Sequence, residues 1–157
     1  MITIRFQTGD AREINAESLR QANFDHEDLH RVMLEGADLT GTSFVDANLR
    51  GSFLSGANLS GANLTAAKLM TASFDNSNLE NATLVSAMLS GASFSGANLR
   101  NANLQDADIW EADFRNADLR GANMQCKRIG DAHFEGAKFD EKTVFPIGFE
   151  MRTGKKE

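Results

Sequence analysis

The sequence has little of what secretion, membrane insertion or nucleic-acid binding usually requires. Its single cysteine, Cys126, has no partner for a disulfide within the chain. No apolar run approaches the ~20 residues that cross a bilayer, so any membrane association would be peripheral. The opening stretch MITIRFQTGDAREIN lacks the basic, then apolar, then small-residue order of a secretory signal. A cytoplasmic location is the expectation. Basic residues are outnumbered, with a formal net charge of -6 and a pI near 5.1, which excludes nonspecific nucleic-acid binding through a basic surface. By the same reasoning acidic partners are not expected. At 157 residues the chain has room for one domain.

What is present is a repeat. From Phe24 to Phe139 an apolar residue returns at every fifth position, twenty-four times in succession: fourteen Leu, seven Phe, two Ile and Met124. Two residues before these centres a small residue is the rule, and eighteen of the twenty-four are Ala. The stretches SGANLSGANL (55–64) and RNADLRGANM (115–124) show the pattern. A period of five suits neither an amphipathic helix nor an isolated strand, which repeat every 3.6 and 2 residues. A chain that turns one corner per five residues solves the problem. Four repeats then close a square coil of twenty residues, each centre points inward, and coils stack at the strand spacing of ~4.8 Å. Ala is required beside the centre because it also faces in, where little volume remains. Gly occupies nine of the sites two after the centre, and Asn76, Asn81, Asn101 and Asn116 occupy others. Those residue types tolerate tight corners.

The pattern A-[DN]-L-x-x resembles the pentapeptide repeat protein family, over residues 20 to 140. The resemblance implies an all-β fold, a right-handed quadrilateral parallel β-helix, here of about six coils and about 29 Å long. Short caps are expected at both ends: 1–20 as an N-terminal cap, 21–140 as the β-helix, 141–157 as a C-terminal cap and tail. Ala is replaced at Glu27, Val32, Thr42, Ser52, Ser77 and Lys127.

One motif points elsewhere. HEDLH (26–30) spells H-E-x-x-H, a zinc-protease signature, which works only on a helix, where residues four apart share a face. Phe24, Leu29 and Leu34 hold the five-residue phase straight through it. His26 then falls at a corner and His30 beyond the next centre, on a different side, while Glu27 falls at an inward-leaning site. No metal and no cofactor are expected. Cys126 falls at a corner and reads as an inert thiol. The carboxylates Asp106, Asp108, Glu111, Asp113 and Asp118 run around the outside of one coil as a solvated girdle. A convex rod offers no cleft to shift their pKa values, so an enzyme is not expected.

Function then belongs to the outer surface. Positions twenty apart stack in columns: Val45, Thr65 and Val85 form one, and Met70, Ser90 and Trp110 another, with Met88 beside the second. Met70, Val85, Met88 and Trp110 make a candidate patch for an unidentified protein partner. Met33 and Phe53 also stack. Members of the resembled family that inhibit or protect DNA gyrase imitate duplex DNA with an acidic rod, which offers an alternative use for the girdle. Residues 21–140 carry sixteen acidic and nine basic side chains, but 47–104 hold only Asp75 and Glu80 against Arg50, Lys68 and Arg100. A mimic of the duplex should present charge along its whole length.

The ends of an open stack need covering. MITIRF suits a short strand, and DAREINAESLRQ a brief helix or a degenerate first coil, since Ile14 and Leu19 share the phase. At the other end FDEKTVFPIGFEMRTGKKE breaks the Ala rule and holds the only proline, Pro146. Phe145 and Phe149 are expected either to close the last coil, leaving a monomer, or to form a homodimer face. RTGKKE reads as a flexible terminus.

Overall fold

The computed structural model describes residues 1–150; the RTGKKE stretch lies outside them. Each pentapeptide is one β-turn and one rung. The turn runs from a centre to the next small residue, as where the Ala37 N–H donates to the Leu34 carbonyl at 3.1 Å. Its third residue has positive φ, the type II pattern, whether it is Gly36 (66°), Asn76 (56°) or the β-branched Thr71 (57°). Glycine at these corners avoids the Cβ strain that Thr71 accepts.

Between turns the backbone bonds to its neighbours along the rod. The Leu29 N–H donates to the Asn48 carbonyl at 2.8 Å, and the Asn48 N–H returns to the Glu27 carbonyl at 2.9 Å. The corner joins in, with the Gly36 N–H on the Ser55 carbonyl at 3.0 Å. Twenty-one parallel bridges result, and nineteen link residues twenty apart, which establishes a coil of four pentapeptides. The chain is therefore a β-helix whose rungs form four sides.

Inside, the centres from Leu39 to Met124 are completely buried, and Ala lies between them. Burying one such Leu or Phe contributes about 1.5–3 kcal/mol. Phe74, Phe94, Phe114 and Phe134 stack on one side at 4.8, 5.0 and 5.4 Å, almost parallel because the coils repeat. Where a hydroxyl replaces Ala it finds a carbonyl. Thr42 Oγ1 donates to Leu19 at 2.7 Å, Ser52 Oγ to Leu49 at 2.7 Å and Ser77 Oγ to Phe74 at 2.6 Å. A buried hydroxyl without such a partner would be costly.

The N-terminal cap is a hairpin of β1 (Ile2–Phe6) and β2 (Ala11–Ile14), so residues 11–14 are strand and not helix. The free edge of β1 pairs antiparallel with β3 (Val32–Met33), setting Phe6 opposite Val32. β1 thus lies where a preceding coil would lie on that side, and Ile4, only 2% exposed, joins the core. Leu19 already acts as a centre, accepting the Ala22 N–H at 3.2 Å. Glu27 corrects the sequence reading: with no coil beneath, it is exposed and pairs with Arg12 of β2 at 2.8 Å.

A second correction concerns the other end. Asp108 bridges Lys127, nineteen residues on, where twenty is the rule. The coil is one residue short, so Cys126 takes the inward Ala slot, 8% exposed, and Lys127 moves outward. A 3₁₀ turn at Ile129–Asp131, entered through Arg128 at φ 56°, restores the phase. An insertion follows: Asn123 bridges Val144, twenty-one on, and Thr143 Oγ1 donates to the Leu119 carbonyl at 3.0 Å. Phe145 and Phe149 lie half-buried against this last coil, 5.4 Å apart, with Phe149 edge-on to Phe134 at 6.3 Å.

Candidate functional site

The four sides differ in what they present. One side has its centres at Leu49, Leu69, Leu89 and Ile109. Its outward residues form two columns. Asn48, Lys68, Met88, Asp108 and Lys127 are joined rung to rung by parallel bridges. Arg50, Met70, Ser90 and Trp110 lie on successive coils, their carbonyls accepting the corner N–H of the coil before. Met70, Met88 and Trp110 therefore meet on one side, as the columns imply. Val85 lies one corner away, on the preceding side, because Ser86 turns the chain between it and Met88. Met88 is 42% and Trp110 41% exposed, whereas Met70 and Val85 are half-buried.

Arg128 is the residue that sequence reasoning missed. Its guanidinium lies 5.4 Å from the Trp110 ring centre, within cation–π range, and its Nε donates to Asp108 Oδ1 at 2.7 Å. A second nitrogen donates to Ser90 Oγ at 3.2 Å. Counting in fives stacks Arg128 on Asp108, twenty residues back, on the side of Trp110. The short coil gives that rung to Lys127 and leaves Arg128 with positive φ beside it, its guanidinium still on Asp108. A signal was present in QCKRI, where the small residue stands one position early.

The acidic girdle is largely neutralised. Arg115 Nε holds Asp113 at 2.9 Å, Arg120 Nε holds Asp118 at 2.9 Å, and Arg128 holds Asp108. These hydrogen bonds keep all three carboxyls below the ordinary Asp value, against an opposing effect of burial. Asp106 and Glu111 stand exposed at corners and make no ion pair among the described residues.

The H-E-x-x-H residues sit on turns and rungs. His26 is a corner residue with φ 61°, its Nδ1 3.3 Å from Asp46 Oδ2 on the next coil. His30 lies on the following side, beside a shallow depression shared with Phe6, Thr8, Asp10 and Asp28. A cleft, which a convex rod should lack, does occur at the C-terminal end. There the 3₁₀ turn and the departing chain leave a groove of about 790 Å³ beside Asp131, His133, Phe134, Phe139, Phe149 and Glu150. Phe139, Val144 and Ile147 are exposed at the same end.

A rod of turns and single-residue rungs defines a β-solenoid of the repeat-protein class. Sequence profiles make this specific: "Pentapeptide repeat region" matches residues 14–84, and "Pentapeptide repeats (8 copies)" matches 71–101 and 97–126. The chain belongs to the pentapeptide repeat family, whose scaffolds are generally non-enzymatic. Among solved structures it is similar to the pentapeptide repeat protein Rfr23 of the cyanobacterium Cyanothece 51142. They are 38% identical over 62% of this chain and 63% of that one, with a TM-score of 0.49. A pentapeptide repeat protein of the Arabidopsis thaliana thylakoid lumen is 30% identical over 64% of this chain and 66% of its own, with a TM-score of 0.50. The chain thus spans less than two thirds of either relative. HetL of Nostoc sp. strain PCC 7120, involved in heterocyst differentiation regulation, is 22% identical over 81% and 75%, with a TM-score of 0.46. A search of curated protein sequences gives no significant match. Among the described residues no helix is long and apolar enough to cross a membrane.

Proposed function

We propose that the chain is a non-enzymatic scaffold that holds a protein partner on the side carrying Met70, Met88 and Trp110. One observation carries this reading. Seven large apolar side chains are exposed among the described residues, and all but Met88 and Trp110 lie at the ends of the rod. Trp is also the residue type most enriched where binding energy concentrates. DNA mimicry takes less support from this surface, since Asp108, Asp113 and Asp118 each already face a guanidinium.

Ser90 lies between Met70 and Trp110, and Ser60 occupies the equivalent rung position on the opposite side. A photo-crosslinker placed by Ser90→Cys should capture a partner from host extract, and one placed by Ser60→Cys should not. Adding Trp110→Ala should abolish the capture. Equal capture from both positions, or capture indifferent to Trp110→Ala, would sink the assignment.

A further inference from the structure

The side that bears Met88 and Trp110 is basic, although the protein is acidic overall. Its outward columns carry Arg50, Lys68 and Lys127, with Arg128 reaching in from the short coil, against the carboxylates of Asp28, on the first rung below Asn48, and Asp108. Arg128 already holds Asp108. Arg50, Lys68 and Lys127 make no ion pair among the described residues. From Asn48 to Ser90 this side has no acid at all, and the corners bordering it there, Gly51, Ala66, Thr71, Ser86 and Gly91, are uncharged. At the corners, carboxylates border the Arg50 rung at Asp46, both flanks of the Trp110 rung at Asp106 and Glu111, and the Ile129 rung at Asp131.

We propose that this side docks an acidic peptide segment of another protein, anchored by apolar residues on Met88 and Trp110, with its carboxylates over Lys68 and Arg50. The proposal rests on the scaffold reading and names the chemistry of its partner. The direction follows from the charges. Asp106 and Glu111 repel carboxylates from the Trp110 rung, so the apolar end belongs there. Below it Lys68 and Arg50 wait two and three rungs away, at ~4.8 Å per rung. Overall charge does not forbid the contact, because screening confines each exposed charge to ~8 Å at physiological salt. It does remove long-range steering, so affinity comes from local contact and association is unhurried. A duplex or an anionic membrane would extend past this narrow strip onto the acidic corners.

Trp110 is the only tryptophan and the chain has no tyrosine, so intrinsic emission reports this site alone. The full chain would be titrated with a synthetic peptide joining a Leu-Phe pair to a run of glutamates, and with the same peptide carrying glutamines. The glutamate peptide should shift the emission, and Arg50→Glu with Lys68→Glu should weaken it by about tenfold or more. The milder pair Arg50→Gln with Lys68→Gln, with circular dichroism unchanged, guards against misfolding. Equal affinity for the glutamine peptide would overturn the charge assignment and leave the scaffold reading standing. So would silence towards both peptides while Ser90→Cys still captures a partner. Silence together with failed capture would remove both readings. A response only to anionic vesicles or duplex DNA would overturn the peptide class.

Discussion

Cys126 shows how one residue can be misplaced by a regular count. In the Ala slot its Sγ donates to the Leu104 carbonyl at 3.2 Å, twenty-two residues back, where Thr42 in an unbroken coil reaches back twenty-three. Burial pushes the thiol up to about 12 from its ordinary 9.0, and the Asp106 carboxylate adds to the effect. The native protein should not react with a thiol-specific reagent at mildly alkaline pH, and the denatured protein should react fully. Linkage gives a second expectation. The unfolded thiol ionises near 9.0 and the folded one near 12, so stability is complete below the first value and declines as pH rises between the two. Urea unfolding of wild type and Cys126→Ala measures this: the variant should lose less stability across that window. Parallel pH profiles would mean that the thiol is not held in the core.

At the scale of elements, the rod and its hairpin are built differently. Each rung is tied to its neighbours by the same few bonds and each turn by its own, so the repeats support one another. The hairpin is attached by β1 against β3 and by Ile4 in the core. Ile4→Ala should therefore weaken the cap by about 2–5 kcal/mol, more than its share of the rod's packing. We expect cleavage of the Thr8–Asp10 loop in limited proteolysis before any cut within the coils, and association at high concentration through the bared Val32–Met33 edge. Mass spectrometry and light scattering read both effects. Uniform cleavage along the chain would show that hairpin and rod unfold as one unit. The hairpin was only half legible beforehand: MITIRF alternates like a strand, but DAREI takes its strand form from pairing with it, which no local pattern in DAREI announces.

For the whole molecule, charge is a matter of placement. A net charge of -6 argued against acidic partners, yet the side around Lys68 is locally basic, because apart from Asp28 and Asp108 the carboxylates lie on other sides and at the corners. The paired carboxylates also set the acid limit of the fold. Hydrogen bonds from Arg128, Arg115 and Arg120 keep Asp108, Asp113 and Asp118 below their ordinary 3.8, and the Ser43 hydroxyl does the same for Asp25. Carboxyls depressed in the folded state stabilise it above their unfolded value, and this contribution is lost as pH falls through the folded values. Thermal midpoints should therefore hold down to roughly pH 4 and fall steadily below it. A triple variant, Arg115→Gln, Arg120→Gln and Arg128→Gln, should have a lower midpoint at neutral pH and decline less steeply below roughly pH 4. Identical pH profiles for the two proteins would deny the pairs any part in stability.

The five-residue period by itself determined the interior. Each centre from Phe24 to Phe114 is inward, the glycine and asparagine corners turn with positive φ, and residues twenty apart stack. That much is local information repeated, since one pentapeptide holds its own turn, its own core residue and its own corner. Only the tertiary structure decided where the count slips: that Cys126 is buried, that Glu27 faces outward onto Arg12, that Lys127 takes the rung over Asp108 while Arg128 leans across Trp110, and that the C-terminal end opens into a groove. Each of these depends on a coil one residue short or long, or on a coil that is missing. The free energy of one slipped rung is settled by the neighbours it meets across the stack, and those neighbours are about twenty residues distant in the chain.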